Sequence, residues 1–215
     1  MGVSVKICGL TRPEDAAAAA GGGAAYLGVV LASGPRRVSF ARAAEIVAAS
    51  RSVPVLGVFG SQPVLEILAA VRDIGLAGAQ LHGAHTREDA ARLQEAGLIV
   101  WRVVRIASPA DLETLAEASL DAETVLVEPR VAHAEGGSGV ALDLSVAVEA
   151  RRRLAGVRMA LAGGLGPETV ARAAALVGPD TVDVSSGVES LPGIKDHEKI
   201  ARFLEAVLGR SPTVG

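Results

Sequence analysis

Three polar side chains stand where otherwise apolar segments end, and each could do chemistry. Cys8 closes the first such segment, His82 the fourth, and Glu128 the sixth, where it is the only charged residue in Val125-Leu126-Val127-Glu128. A lone cysteine is often a small buried hydrophobe, and a histidine is often a hydrogen-bonded structural group. A carboxylate ending an apolar segment is harder to explain by solubility, so for Glu128 a functional role stands open beside a structural one.

The first and the last apolar segments divide their faces in the same way. Alternation along a strand puts Lys6 and Cys8 on one face, opposite a face of Val and Ile, and it separates Asp183 from its valine neighbours. We expect the valine faces to pack against helices and the polar faces to point inward. Asp183 then fits two roles, a functional carboxylate or a structural one paired with Lys6.

Glycine and serine cluster at the ends of the seventh and eighth apolar segments. Gly163 and Gly164 follow the seventh, and Ser185, Ser186 and Gly187 follow the eighth. Small residues let backbone N–H groups approach an anion, and loops after these two strands often bind phosphate in eight-stranded barrels. The two clusters together predict a phosphorylated ligand.

These residues are carried by eight repeats of one pattern, a short apolar strand followed by an alanine-rich helix. The predicted strands are Val3 to Gly9, Ala25 to Leu31, Pro54 to Gly60, Ala77 to Gly83, Ile99 to Ile106, Thr124 to Glu128, Arg158 to Gly164 and Thr181 to Gly187. The predicted helices begin at or near Thr11, Ser39, Pro63, Thr86, Ser108, Leu144, Gly166 and Ile194. Capping boxes, Thr11 with Glu14 and Thr86 with Asp89, support two of these starts.

Eight strand-helix units predict an α/β fold, a single-domain eight-stranded parallel (β/α)8 TIM barrel over residues 1–215. Near-continuous apolar strands fit a parallel sheet that is buried on both faces. An open, doubly wound sheet shares the alternation, so the regularity favours the barrel without proving it. Residues 209–215 are predicted to form a flexible tail.

Composition narrows the function classes. With 21 Lys+Arg against 24 Asp+Glu, a formal charge of −3 and few aromatic residues, the chain offers no nucleic-acid surface. A single cysteine fits a reducing compartment and excludes both an internal disulfide and a multi-cysteine zinc site. The expectation is a cytoplasmic protein. The uncharged segment from Ala16 to Pro35 loosely resembles a membrane span, but its Ala and Gly content predicts a helix end, a turn and a strand.

Several motifs together resemble the phosphoribosylanthranilate isomerase family of tryptophan biosynthesis. They are Lys6-Ile7-Cys8-Gly9-Leu10-Thr11, Gly34-Pro35-Arg36-Arg37-Val38-Ser39, Gln80-Leu81-His82-Gly83, Gly136-Gly137-Ser138-Gly139, Leu161-Ala162-Gly163-Gly164-Leu165 and Val182-Asp183-Val184-Ser185-Ser186-Gly187-Val188-Glu189. The likeness runs from residue 3 to about residue 208 in the same order and spacing. Each motif alone is weak, and their agreement is specific.

The resemblance implies a cofactor-free Amadori rearrangement of an aminoaldose to a ketose, on a small phosphorylated substrate. Ring opening needs a general acid, and proton removal from C2′ needs a general base. The family pattern makes Cys8 the base, with Lys6 expected to lower its pKa, and Glu128 stands in the place of the acid. The remaining site residues implied by the resemblance are Arg36, Gln80, His82 and Asp183 for substrate binding, and Gly163, Gly164, Ser185, Ser186 and Gly187 for the phosphate. Arg36 matches the arginine that holds the anthranilate carboxylate.

This sequence departs from the family pattern near the acid. The family usually has aspartate at the place of Glu128, and the segment from there to Gly136 is one residue longer than is common. Glu135, in the same segment, is the rival acid. The loop around Ala32-Ser33-Gly34 also lacks an aromatic residue and a proline that often precede the arginine motif.

Two other functions stay open at this point. The related isomerase of histidine biosynthesis performs the same rearrangement on another aminoaldose, but it typically has a carboxylate where Cys8 stands. A non-catalytic binding barrel would keep the phosphate loops and lose the acid or the base. No membrane partner is expected, and a homodimer or an association with a neighbouring pathway enzyme is left open.

Overall fold

The computed structural model describes residues 2–113, 115, 122–130 and 142–209, and in them eight parallel strands form a closed barrel. The strands β1 to β8 are, in chain order, Ser4–Ile7, Tyr26–Val30, Val55–Phe59, Gly78–Leu81, Ile99–Ile106, Thr124–Pro129, Arg158–Leu161 and Thr181–Val184. Each strand pairs with the next along the chain, and β1 pairs with β8 to close the ring. The predicted barrel is confirmed, and the open sheet is excluded.

Seven α-helices lie among the described residues. In chain order, α1 to α7 are Pro13–Gly21, Phe40–Ala49, Val64–Ile74, Arg87–Glu95, Leu144–Arg153, Val170–Val177 and His197–Leu208. The capping box of Thr86 with Asp89 is confirmed, since each side chain accepts the other residue's backbone N–H. After β5 the predicted helix start at Ser108 becomes a 3-10 helix, Pro109–Glu113.

The predicted capping box of Thr11 with Glu14 is wrong. Helix α1 has Arg12 as its N-cap and proline at its first position, which is where the missing N–H of proline costs nothing. The hydroxyl of Thr11 instead donates to the carbonyl of Gly193. That bond ties the start of α1 to a loop 182 residues further along the chain.

The final strand-helix unit also differs from its prediction. Helix α7 begins at His197 rather than at Ile194, because Ile194–Lys195 forms a short strand, β10, antiparallel to the strand β9, Glu189–Leu191. Asp196 then caps α7, accepting from the backbone N–H groups of Glu198 and Lys199. Similarly, α6 begins at Val170, three residues after Pro167.

Two apolar layers hold the barrel, and they follow the predicted division of faces. Val5, Ile7 and Val182 are fully buried in the large layer between the strands and the helices. A smaller cluster fills the barrel interior: Leu56, Trp101, Leu126, Ala160 and Ala162. The inward faces near the carboxyl ends of the strands carry polar groups, which is the end where such barrels place their chemistry.

The segment from Ala16 to Pro35 is built as the sequence predicts. It contains the end of α1, a turn and β2. Among the described residues, no helix is both long and apolar enough to span a membrane.

Candidate active site

A cavity of about 740 Å³ opens at the carboxyl ends of the strands. Every predicted site residue lines it: Cys8, Arg36, Gln80, His82, Glu128, Gly163, Gly164, Asp183, Ser185, Ser186 and Gly187. Side chains from β1, β4, β6 and β8 therefore share one chamber, although they are far apart in the sequence. No group of metal-ligating side chains is found among the described residues.

Cys8 follows β1 and is buried, with its backbone N–H donating to the Val184 carbonyl at 2.8 Å. Burial raises the pKa of the Cys8 thiol, while the Lys6 ammonium favours the thiolate and opposes that rise. The expectation that Lys6 lowers the Cys8 pKa is right about the direction of its effect. Desolvation nevertheless outweighs the cation, so the pKa of the Cys8 thiol is raised in the free protein.

The Lys6 ammonium is fully buried and held by two acceptors. Its Nζ donates to Asp183 Oδ1 at 3.0 Å and to Gln80 Oε1 at 2.8 Å, and it lies 5.3 Å from the centre of the Trp101 ring. Burial lowers the pKa of Lys6, but the charges of Asp183 and Cys8 more than compensate, so the pKa is raised and the cation is kept. The pairing of Asp183 with Lys6 expected from the sequence is thus present, in a carboxylate that also lines the cavity.

Gly28 on β2 supports Cys8 from the side. A Cβ added at Gly28 would lie 2.7 Å from Cys8 Sγ and 3.3 Å from Lys6 Cε, so only glycine fits against the thiol without displacement. Sequence reasoning missed this residue, because a glycine inside an apolar strand gives no sign of which side chain approaches it.

Glu128 on β6 is buried, and its carboxylate meets Arg105 of β5. Arg105 Nε donates to Glu128 Oε1 at 2.9 Å, and the two residues are register partners on adjacent strands. Burial raises the pKa of Glu128, while Arg105 and then Lys6 oppose the rise. Arg105 was missed, although it carries the same signal as Glu128, a charge near the end of an apolar strand.

Gln80 and His82 connect the two charged ends of the cavity. Gln80 Nε2 lies 2.7 Å from His82 Nε2, and Arg105 Nη2 lies 2.9 Å from His82 Nδ1. Together with the Lys6 contacts, these distances form one polar chain from β8 through β1, β4 and β5 to β6. The two residues predicted to bind substrate are therefore also part of the protein's own network.

Arg36 meets a carboxylate of the protein itself. Its Nε and Nη2 donate to the two oxygens of Glu189 at 2.8 and 2.7 Å, in the bidentate geometry that suits this pair. Lys195 Nζ donates to Glu189 Oε1 at 2.8 Å and to the Ser185 carbonyl at 3.0 Å. The Arg36 fork is therefore occupied by Glu189, which the resemblance did not predict, and Lys195 ties the pair to the loop after β8.

Backbone geometry at the predicted phosphate loops requires glycine. Gly163 and Gly164 have φ of 102° and 64°, which side-chain-bearing residues rarely adopt. A Cβ added at Gly187 would lie 1.9 Å from the Leu165 carbonyl oxygen, so the two loops touch through their backbones. The loops after β7 and β8 thus form one continuous rim of the cavity.

Part of the sequence prediction lies outside the described residues. The motif Gly136-Gly137-Ser138-Gly139 and the rival acid Glu135 fall within 131–141, and most of the predicted tail falls within 210–215.

Comparisons with known proteins agree with this geometry. The family model for N-(5'phosphoribosyl)anthranilate (PRA) isomerase matches residues 5–206. An N-(5'-phosphoribosyl)anthranilate isomerase from Paracoccus denitrificans is 40% identical over 214 residues, covering 95% of this chain and 96% of the relative.

Solved structures show the same likeness. Phosphoribosyl anthranilate isomerase from Thermotoga maritima superposes with a TM-score of 0.87 at 32% identity, covering 97% of this chain and all of the other. A phosphoribosyl anthranilate isomerase in complex with reduced 1-(o-carboxyphenylamino)-1-deoxyribulose 5-phosphate superposes with a TM-score of 0.85 at 31% identity, over 97% of this chain and all of the other.

Proposed function

Because the chain belongs to the N-(5'-phosphoribosyl)anthranilate isomerase family of tryptophan biosynthesis, we propose that its barrel mouth works by general acid-base catalysis, with Cys8 as base and Glu128 as acid. The reaction is the Amadori rearrangement of N-(5-phosphoribosyl)anthranilate to 1-(2-carboxyphenylamino)-1-deoxyribulose 5-phosphate. Its proton transfers need two groups in one chamber, and both of these side chains line the cavity.

The acid acts first in this proposal. Protonated Glu128 gives its proton to the furanose ring oxygen, the C1′–O bond breaks, and the anthranilate nitrogen supplies the electron pair that forms the Schiff base. The observation that carries this assignment is the burial of Glu128, which raises the pKa of its carboxyl group and so favours the protonated form that a donor needs.

The base acts second. The Cys8 thiolate removes the proton from C2′, and the electron pair moves to form the enolamine. The enolamine becomes the ketose when C1′ gains a proton and the C2′ hydroxyl group loses one. The thiolate needs the nearby Lys6 ammonium, because burial alone disfavours it. The histidine-pathway isomerase finds no support, since the comparisons identify the anthranilate family and cysteine stands at this position.

The remaining site residues bind the substrate in the proposal. Asp183 binds a ribose hydroxyl group, Gln80 and His82 make further contacts with the substrate, and the rim formed by the loops after β7 and β8 binds the phosphate through backbone N–H groups. Arg36 meets the anthranilate carboxylate from the cavity side while Glu189 holds its fork in place.

The proposal also covers the domain organisation, the cellular location and the oligomeric state of the protein. Residues 1–215 form one domain that acts in the cytoplasm. A solved relative is described as a dimeric isomerase from Thermotoga maritima, and a homodimer or an association with a neighbouring pathway enzyme stays a prediction for this chain. Light scattering on the purified protein tests the homodimer.

The test of the catalytic assignment is a fluorescence assay that follows loss of the substrate. We expect Cys8→Ser to lower turnover by about 10²-fold or more, Glu128→Gln to nearly abolish it, and Glu128→Asp to retain some activity. Near-normal turnover in folded Cys8→Ser would refute the base. If Glu128→Gln turns over normally while Glu135→Gln is inactive, the acid is Glu135.

A further inference from the structure

The polar chain across the barrel mouth includes an arginine that the mechanism above does not use. Arg105 projects from β5 into the cavity, beside Glu128 and His82. Its guanidinium contacts both neighbours at 2.9 Å, Nε to Glu128 Oε1 and Nη2 to His82 Nδ1. Two contacts in different directions fix the plane of the guanidinium, which a single contact would leave free to rotate.

The strand register makes this contact a fixed feature of the barrel wall. Arg105 and Glu128 are direct partners on parallel strands, so both side chains leave the sheet at the same height and on the same face. Glutamate reaches one methylene further than the aspartate that the family usually has at this position. The arginine meets that longer side chain and holds its carboxylate toward β5.

The contacts of His82 are also set from the Lys6 end of the polar chain of side chains. The Lys6 ammonium can only donate, so it requires the oxygen of Gln80, and the Gln80 amide nitrogen then points at His82 Nε2. Arg105 can also only donate, so His82 meets a donor at each ring nitrogen, and a neutral ring accepts either from Gln80 at Nε2 or from Arg105 at Nδ1. Nδ1 lies 3.7 Å from Glu128 Oε1, so the imidazole ring and the guanidinium both stand beside the same carboxylate oxygen.

We propose that Arg105 is a positioning residue for Glu128: it sets the reach and direction of the longer carboxyl side chain at the barrel mouth. This inference rests on the proposed function, because it takes Glu128 as the general acid. Arg105 itself does not transfer a proton, since a guanidinium stays charged at all relevant pH values.

The charged and titratable groups that face Glu128 from the described elements around it are three. Arg105 comes from β5, His82 from the position directly after β4, and Lys6 from β1. Arg105 stabilises the carboxylate form, so its removal raises the pKa of Glu128 further. The limb of the pH profile of kcat/KM that reports the ionisation of Glu128 then moves to higher pH even as the rate falls.

The experiment compares Arg105→Met with Arg105→Lys and with the control Arg102→Met. Arg102 lies on the same strand, and its guanidinium donates to the His85 carbonyl, away from the cavity. We expect Arg105→Met to lower kcat on the order of 10- to 100-fold, because a displacement near 1 Å can cost about 100-fold. KM should stay within about threefold, Arg105→Lys should recover part of the rate, and Arg102→Met should match the parent.

The same substitution is then made in the Glu128→Asp background. Aspartate is too short to keep the Arg105 contact, so Arg105→Met should cost less than about threefold there. An equal loss in both backgrounds would overturn the proposal, because Arg105 would then act on the substrate directly. A normal kcat and an unmoved Glu128 limb of the pH profile in Arg105→Met would overturn it as well.

A different result would refute the proposed function itself. If Glu128 is not the general acid, Glu128→Gln will show normal turnover, whatever the Arg105 variants show. If Glu128→Gln is inactive and Arg105→Met behaves like the parent, the acid assignment stands and the positioning role alone is refuted. Binding of the reduced product analogue, measured by titration calorimetry, confirms that each inactive variant is folded.

Discussion

Gly28→Ala is expected to displace the Cys8 thiol although no charged or reactive residue is replaced. The added Cβ would lie 2.7 Å from Cys8 Sγ, whereas carbon and sulfur in contact need roughly 3.5–4 Å. The thiol or the strand must therefore move by about 1 Å. The φ of Gly28 is an ordinary one for side-chain-bearing residues, so the effect is steric and local.

The magnitude follows from that displacement. A shift of 1 Å at a reacting group costs on the order of 100-fold in rate, while overpacking one methyl group typically costs about 1–3 kcal/mol of stability. We expect kcat to fall by roughly 30- to 100-fold and the protein to stay folded at 25 °C. The substrate-loss assay measures kcat, and denaturant unfolding measures the stability.

Gly21→Ala provides the matched control. Gly21 ends α1, and an added Cβ there would meet the nearest atom, Arg51 Nη1, at 3.5 Å, which is ordinary contact. It should leave kcat unchanged. If folded Gly28→Ala keeps kcat within threefold of the parent, the position of the Cys8 thiol does not limit the reaction, and the reasoning fails.

Three further predictions concern the cation, the phosphate rim and the core. Lys6→Met removes the charge that favours the Cys8 thiolate, so the Cys8 pKa rises further. The limb of the kcat/KM profile that reports Cys8 should move to higher pH, and an unmoved limb would contradict the role of Lys6. Ser186→Asp places a negative charge at the phosphate rim and should raise KM roughly 10-fold or more, by repulsion of about 1–4 kcal/mol. The substitution is made at Ser186 because Gly163 has a positive φ that a side chain would strain. An unchanged KM would place the phosphate elsewhere. Phe203→Ala empties a fully buried site on α7 and should lower the free energy of unfolding by about 3–5 kcal/mol in urea titrations; a loss under 1 kcal/mol would show that α7 contributes little to the core.

The barrel fold and the residues that line its site could be predicted because both follow from local patterns in the sequence. Apolar alternation located β1 and β8, and the parity of Lys6 and Asp183 placed them inward, where they meet in the structure. Which charged side chains pair with each other could not be predicted in the same way. Arg36 pairs with Glu189 across 153 residues, and Arg105 pairs with Glu128 through the register of two strands, neither of which any local pattern encodes.

The start of α1 shows the same limit on a smaller scale. Thr11 and Glu14 satisfy the spacing of a capping box, yet the Thr11 hydroxyl is used by the Gly193 carbonyl. A capping hydrogen bond is worth about 1 kcal/mol, so it does not form when a distant segment offers the same hydroxyl group another partner.

The bond between Lys6 and Asp183 also dictates when the site can exist during synthesis. The two residues lie 177 positions apart, and at 5–20 residues per second a ribosome needs roughly 9–35 s to add the residues between them. Throughout that interval the emerging chain contains the thiol of Cys8 but lacks the carboxylate that keeps its neighbouring ammonium in place. Reactivity is therefore among the last properties that the nascent chain acquires, after the first and last strands have met.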